Sequence, residues 1–255
     1  MDTKEVLRHV LDEFETFVST DSDTKVLYRL MKSGKATTGD ALHLAGLTGD
    51  KLADSLVDNF LAEMGPDDIL TAQDTLAVVP QALRRNDKYV KEYLAQIQRQ
   101  LNQKARIGLN PLSPNFDSSR AAEIARSLTK KAIKDVAESF KIDVKTFSQH
   151  TVDRSVRANA QAQAYAGLDV RVTRIYDGVG LSNDRVCQWC LDRQGSDMTY
   201  QEAYDKGAFQ RHPGCGCELL YTVGRRTQRQ SDWTTNTWED VQSDRQLEER
   251  RQYNR

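Results

Sequence analysis

Val170-Arg171-Val172-Thr173-Arg174-Ile175-Tyr176 is where the chain changes its period. Upstream, apolar residues return every three or four positions. From Val170 onward they alternate with polar ones, which predicts a half-buried strand. A second strand candidate, Cys217-Glu218-Leu219-Leu220-Tyr221-Thr222-Val223, follows later. Between the two lie Cys187-Gln188-Trp189-Cys190, a polar connector, and His212-Pro213-Gly214-Cys215-Gly216-Cys217. All 4 cysteines of the chain and one of its 4 histidines thus fall in this interval, so the cluster calls for one shared cause. The chain reads as α+β and mainly α-helical. A helical N-terminal region precedes a small α+β domain with a zinc-knuckle-like Cys/His cluster between two strands.

The spacing favours a metal. A Cys-x-x-Cys turn offers two sulfurs to one ion, and a second pair of ligands from a later turn closes a tetrahedron. His212-x-x-Cys215 repeats the same step. Cys187, Cys190, His212, Cys215 and Cys217 are five candidates for four places, so one of Cys215 and Cys217, or else His212, stands outside the shell. The competing cause is a pair of disulfides. The opening, Met1-Asp2-Thr3-Lys4-Glu5, leads straight into a charged amphipathic pattern without a signal-peptide core, which points to a reducing cytoplasm. Structural Zn2+ is the expectation.

The first hundred residues read as helices. Asp2 and Glu5 suggest a capping box ahead of Val6, Leu7, Val10, Leu11, Phe14, Phe17 and Val18. Two shorter pieces carry Val26, Leu27, Leu30 and Met31, then Leu42, Leu44 and Ala45. After Gly49-Asp50, Leu52, Leu56, Val57, Phe60 and Met64 share a face that stops at Gly65-Pro66. A longer helix over 89–104 presents Tyr89, Val90, Tyr93, Leu94, Ile97 and Leu101.

The strongest loop signal is Gly108-Leu109-Asn110-Pro111-Leu112-Ser113-Pro114-Asn115. Asp117 caps the next helix, through Ala121, Ala122, Ile124, Ala125 and Leu128. A further helix holds Ala132, Ile133, Val136 and Phe140. Another spans 147–165, with Gly167 as its C-terminal stop. A short helix fits at 200–206. The resulting division is a helical region 1–107, a linker 108–116, a domain 117–224 holding the cluster, and a polar arm 225–255.

Net charge is −1, but it is unevenly spread. Residues 1–80 hold 7 Lys and Arg against 15 Asp and Glu, whereas residues 81–174 hold 18 against 9. A basic middle region is either a set of solvated helix faces or a surface for nucleic acid. Arg84, Arg85, Lys88, Lys91, Arg99, Lys104, Arg106, Lys130, Lys131 and Lys134 are the candidates for the second role, with Tyr89 and Tyr93 interleaved. No apolar run approaches the roughly 18 residues of a membrane span, and mean hydropathy is −0.66. No membrane partner is expected.

From residue 147 to residue 238 the chain resembles the C-terminal domain of the phage Mu F-type head-morphogenesis proteins, the minor head or minor capsid proteins of tailed phages. The resemblance rests on Phe147-Ser148-Gln149, Val152-Asp153 and Val156-Arg157-Ala158-Asn159 in a helix, then on Arg171-Val172-Thr173-Arg174 in a strand. It continues through Cys187-x-Trp189-Cys190, Gly195 and Arg211-His212-x-x-Cys215-x-Cys217, to Gly224, Arg225, Arg226, Trp233 and Trp238. Ala105-Arg106-Ile107-Gly108 precedes the domain, as in similar chains. The pattern departs at Gly216, where such proteins usually carry Arg. The resemblance implies a virion component without catalytic activity, near the portal on the capsid interior, that acts in head assembly, genome packaging or ejection. Its expected partners are the portal protein, the major capsid protein and packaged DNA.

The alternatives are a zinc-dependent enzyme, such as a hydrolase or nuclease, and a nucleic-acid-binding protein using the basic 81–174 region. A catalytic zinc needs an open position and a nearby base. The chain has no His-Glu-x-x-His, and its Cys-x-x-Cys precedes the histidine, unlike the layout of a nucleobase deaminase. Glu202, Asp205 and Glu218 are the carboxylates that could approach the cluster.

Overall fold

A computed structural model describes residues 2–176 and 188–223. Cys187, the loop at 179–183 and the expected arm at 225–255 lie outside the described residues. Six helices come first: α1 (Thr3–Thr20), α2 (Ser22–Lys32), α3 (Thr38–Glu63), α4 (Ala72–Lys104), α5 (Ser118–Ser127) and α6 (Ile133–Tyr165). Then follow β1 (Val170–Tyr176), α7 (Gln188–Leu191), β2 (Gly195–Thr199), α8 (Tyr200–Asp205) and β3 (Cys217–Val223). The architecture is mainly helical α+β, as expected.

Local signals set most of the boundaries. The Asp2 carboxylate accepts from the Lys4 and Glu5 amides at the start of α1, and Asp117 accepts from the Arg120 amide at the start of α5. Thr37 with Asp40 and Thr199 with Glu202 form reciprocal capping boxes on α3 and α8. Gly167 takes φ +74 after α6, and the Leu168 amide reaches back to the Gln163 carbonyl. This is the left-handed C-terminal stop for which glycine has no Cβ penalty.

Three helices are longer than their sequence patterns suggest. The pieces expected either side of Gly49 are one helix, α3, and those at 132–140 and 147–165 are likewise one helix, α6. α4 begins well before residue 89 and runs through Pro80. Packing explains α3, because both of its interior glycines face α6. A Cβ on Gly49 would stand 3.0 Å from the Lys145 Cα and 2.9 Å from the Ser148 Oγ. The helices meet almost backbone to backbone there, and burial compensates for glycine's weak helix propensity.

Two apolar clusters fill the interior. One gathers Val10, Phe14, Leu56, Phe60, Leu83, Ile124 and Phe140 from α1, α3, α4, α5 and α6. The other gathers Leu27, Leu44, Tyr93, Ile97 and Val156 with Val172, Leu219 and Tyr221 of the sheet. Each cluster therefore draws on residues from both 1–107 and 117–224, with α3, α4 and α6 running through both. The 108–116 segment carries no helix or strand, as its sequence suggests, yet it is tied down. The Leu112 amide and carbonyl both bond the Asn159 carboxamide, at 2.9 and 2.8 Å. Phe116 packs edge-on against Phe147.

The sheet is antiparallel in the order β2-β1-β3, and β2 has no counterpart among the sequence expectations. Val170 and Val172 point to the core, but the expected apolar phase ends there. Arg174 takes the next inward place and is fully buried, while Ile175 turns outward. Thr38 at the start of α3 donates to the Leu219 carbonyl at 3.1 Å, joining the helical layer to β3.

The glycines of α3 allow a paired test by chemical denaturation. Gly46→Ala meets only ordinary contacts, with Gln149 Nε2 at 3.5 Å as the nearest, and should stabilise the chain by about 0.5–1 kcal/mol. Gly49→Ala should destabilise it by about 1–3 kcal/mol, because overpacking against backbone outweighs the gain in propensity.

Candidate metal centre

The cluster is assembled from two short segments. α7 supplies Cys190, and the turn before β3 supplies His212 and Cys215. That turn closes through the Cys215 amide bonding the His212 carbonyl at 3.1 Å, with Gly214 at φ +72. The Gly214 amide also donates to the Thr146 hydroxyl of α6 at 3.2 Å. Trp189 lies over the site, its ring edge-on to His212 at 4.9 Å and the Arg193 guanidinium 3.9 Å from its centroid.

The ligand atoms of Cys190, His212 and Cys215 all lie within 4.8 Å of one another. Cys190 Sγ is 3.1 Å from His212 Nε2 and 3.6 Å from Cys215 Sγ. A tetrahedral zinc with Zn–S bonds of about 2.3 Å separates two sulfurs by roughly 3.8 Å. The trio is therefore placed to hold a metal ion. His212 Nδ1 lies 2.7 Å from the Pro213 carbonyl. A carbonyl can only accept, so Nδ1 carries the proton and Nε2 keeps its lone pair toward the sulfurs.

The sulfurs are electrostatically unequal. Cys217, at the start of β3, is fully buried. Its thiol donates toward Cys215, and this bond, aided by the Arg211 and Arg174 guanidiniums against the opposing effect of burial, lowers the Cys215 pKa to about 5. The same bond, together with burial, pushes Cys217 up. The surroundings thus favour the thiolate at Cys215 and the thiol at Cys217. Among the five sequence candidates, the structure brings Cys190, His212 and Cys215 into one group and sets Cys217 against it. Cys187 lies outside the described residues. Cys190, Cys215 and Cys217 form no disulfide among the described residues.

Two arginines surround this group. Arg211 forms a fully buried ion pair with Asp153 of α6, Nε to Oδ2 at 2.7 Å and a second nitrogen to Oδ1 at 3.2 Å. Its remaining donors reach the Cys215 and Cys217 carbonyls at 2.8 and 2.9 Å. Arg174 donates to the Ala208 and Gln210 carbonyls, each at 2.7 Å, and to Cys215 Sγ at 3.2 Å. Neither motif nor spacing assigns a role to Arg211, Arg174 or Asp153. Arg174 in phase with Val170 and Val172 is the one signal that could have flagged it.

The basic candidates do not converge as a whole. Arg84, Lys88, Lys91 and Arg99 line one groove along α4, about 390 Å³, together with Asp87, Glu92 and Ser113. Lys91 is paired with Asp87 at 2.6 Å, and Arg84 stacks on Phe116 at 4.6 Å. The others lie elsewhere: Arg85 pairs with Glu15, Lys134 with Asp67, and Lys104 bonds the Gly34 carbonyl. Arg106, Lys130 and Lys131 are exposed.

Comparison with protein-family models, with curated proteins and with solved structures finds no match to this chain.

The Arg211 pair gives a test of how the turn is held. Asp153→Ala leaves a buried guanidinium without its carboxylate and should cost about 3–5 kcal/mol of unfolding free energy. Asp153→Leu combined with Arg211→Met should cost clearly less than Asp153→Ala alone in the same denaturation assay. Equal losses would remove the ion pair from the account.

Proposed function

We propose that this chain is a minor head (minor capsid) protein of a tailed bacteriophage, and that its Cys/His cluster holds a structural Zn2+. The protein would be made in the host bacterial cytoplasm and carried in the virion, beside the portal on the capsid interior. There it would act in head morphogenesis or in genome packaging and ejection, with the portal protein or the major capsid protein as its docking partner.

One observation carries the reading. Cys190 and the His212–Cys215 turn, which lie between β1 and β3 along the chain, come together in the order on which the family resemblance rests. The site suits a staple. Two of its three ligand residues are buried, and its turn is anchored to α6 through Arg211. A metal there would tie α7 to the start of β3, a constraint of large value in a small sheet. This reading assigns no reaction to the cluster. No described helix is long and apolar enough to cross a membrane.

The α4 groove favours packaged DNA as a further partner. Arg84 to Arg99 spans about 22 Å along the helix, enough to follow several phosphates of one strand. Binding through such a stripe should weaken steeply with salt. In a titration at low ionic strength, Lys88→Glu with Arg99→Glu should abolish binding, while Lys130→Glu with Lys131→Glu should reduce it far less. Wild-type protein that binds no DNA even at low salt would remove the groove from the account.

The reading as a whole is tested by metal analysis together with location. Purified protein should carry about one zinc per chain, lost in Cys190→Ser and His212→Ala. Antibody labelling of opened phage heads should place the chain at the portal vertex. Metal-free folded protein would end the zinc assignment, and a chain missing from purified virions would end the phage assignment.

A further inference from the structure

Arg174 presents a problem of charge. Its side chain is fully buried, the bulkiest of the fully buried side chains in the described protein. Arginine stays protonated at any pH a folded protein meets, so a full positive charge sits in the interior. No carboxylate lies within ion-pairing distance of it among the described residues. The nearby buried acid, Asp153, is already matched by Arg211. The Ala208 and Gln210 carbonyls accept two of its hydrogen bonds but carry no net charge. The Trp189 ring centroid, at 5.8 Å, supplies only the weak attraction of a π face, and Arg193 lies closer to that ring. An isolated buried cation costs several kcal/mol after relaxation. Something anionic has to face it.

Among the described residues, the one side chain able to carry negative charge that it touches is Cys215, whose sulfur lies at 3.2 Å. Its Nε–H has no partner among the described residues. We propose that Arg174 is the resident counter-ion of the metal–thiolate centre, and that its charge sets the number of thiolates at three. This assignment rests on the zinc reading above. A Zn2+ bound by two thiolates and a neutral imidazole is uncharged and leaves Arg174 unmatched. Three thiolates and the His212 imidazole give a net charge of −1, which Arg174 neutralises. Four thiolates leave −1 over. Cys190 and Cys215 are two of the three. Arg174 is thus a positioning residue for the centre: it holds the Cys215 sulfur through a charge-assisted bond and favours the anionic ligand set over a neutral one with bound water.

The test uses the full chain. Zinc affinity is measured by competition with a chelator for the wild type, Arg174→Gln and Arg174→Lys, with helical content checked by circular dichroism. Arg174→Gln should bind about 10- to 100-fold more weakly, the range seen when an outer-shell partner is lost, and Arg174→Lys should recover part of that loss. In the wild type, Co2+ substitution should give a sulfur-to-metal charge-transfer band with the intensity of three thiolates. Unchanged affinity in Arg174→Gln, or a band of two- or four-thiolate intensity, overturns the assignment while leaving the zinc reading intact. If Arg174→Gln fails to fold, the wild-type band and Arg174→Lys still decide. Wild-type protein that takes up neither metal removes the zinc reading and this assignment with it.

Discussion

The buried Arg211 guanidinium is the contact on which the rest of the C-terminal structure depends. It sits between the Asp153 carboxylate of α6 and the carbonyls of Cys215 and Cys217. One side chain therefore joins the long helix α6, the His212–Cys215 turn and the first residue of β3. The turn has few apolar side chains of its own, and a segment so poor in hydrophobic area cannot hold a fixed geometry by burial alone. A bidentate, fully desolvated ion pair is directional in a way that apolar packing is not. It costs desolvation energy and returns a single permitted position for the turn, which a ligand cluster requires.

The helical layer sets the other half of that geometry. α3 and α6 approach closely enough at Gly49 that the Lys145 backbone takes the place of a side chain. That approach brings the N-terminal end of α3 to β3, where Thr38 bonds the Leu219 carbonyl. The sheet is consequently held from two sides, by α3 at its strand and by α6 at its turn. Asn159 of α6 fastens the 108–116 segment with a backbone-like pair of hydrogen bonds, so the chain passes between its halves without a loose hinge there. Both apolar clusters span the two halves, and the division of sequence into 1–107 and 117–224 is not a division of the hydrophobic interior.

Charge orders the cluster in the same manner. Two guanidiniums and a thiol donor converge on Cys215 and lower its pKa, whereas burial and the same bond push Cys217 up. The arginines belong to different elements, β1 and the turn before β3, and each has a distinct task. Arg211 is neutralised by Asp153 and acts on backbone carbonyls. Arg174 lacks such a partner among the described residues and acts on sulfur. Equivalent residues in sequence are thus separated in role by what each finds opposite it.

Sequence by itself determined what depends on neighbours a few residues apart. The caps at Asp2 and Asp117, the stop at Gly167, the strands Val170–Tyr176 and Cys217–Val223, and the gathering of thiols and imidazole between them all follow from local periodicity and spacing. Tertiary structure decided what depends on residues far apart. Gly49 reads as a break, because glycine's local preference says nothing of a neighbouring helix whose Lys145 Cα would stand 3.0 Å from an added Cβ. Alternation puts Arg174 on the inner face with Val170 and Val172, but it cannot reveal that a cysteine sulfur waits there for its charge. Asp153 and Arg211 stand 58 positions apart, and no pattern along the chain pairs them. Local chemistry made the elements legible, but a buried charge acquires its meaning only from the partner that folding places beside it.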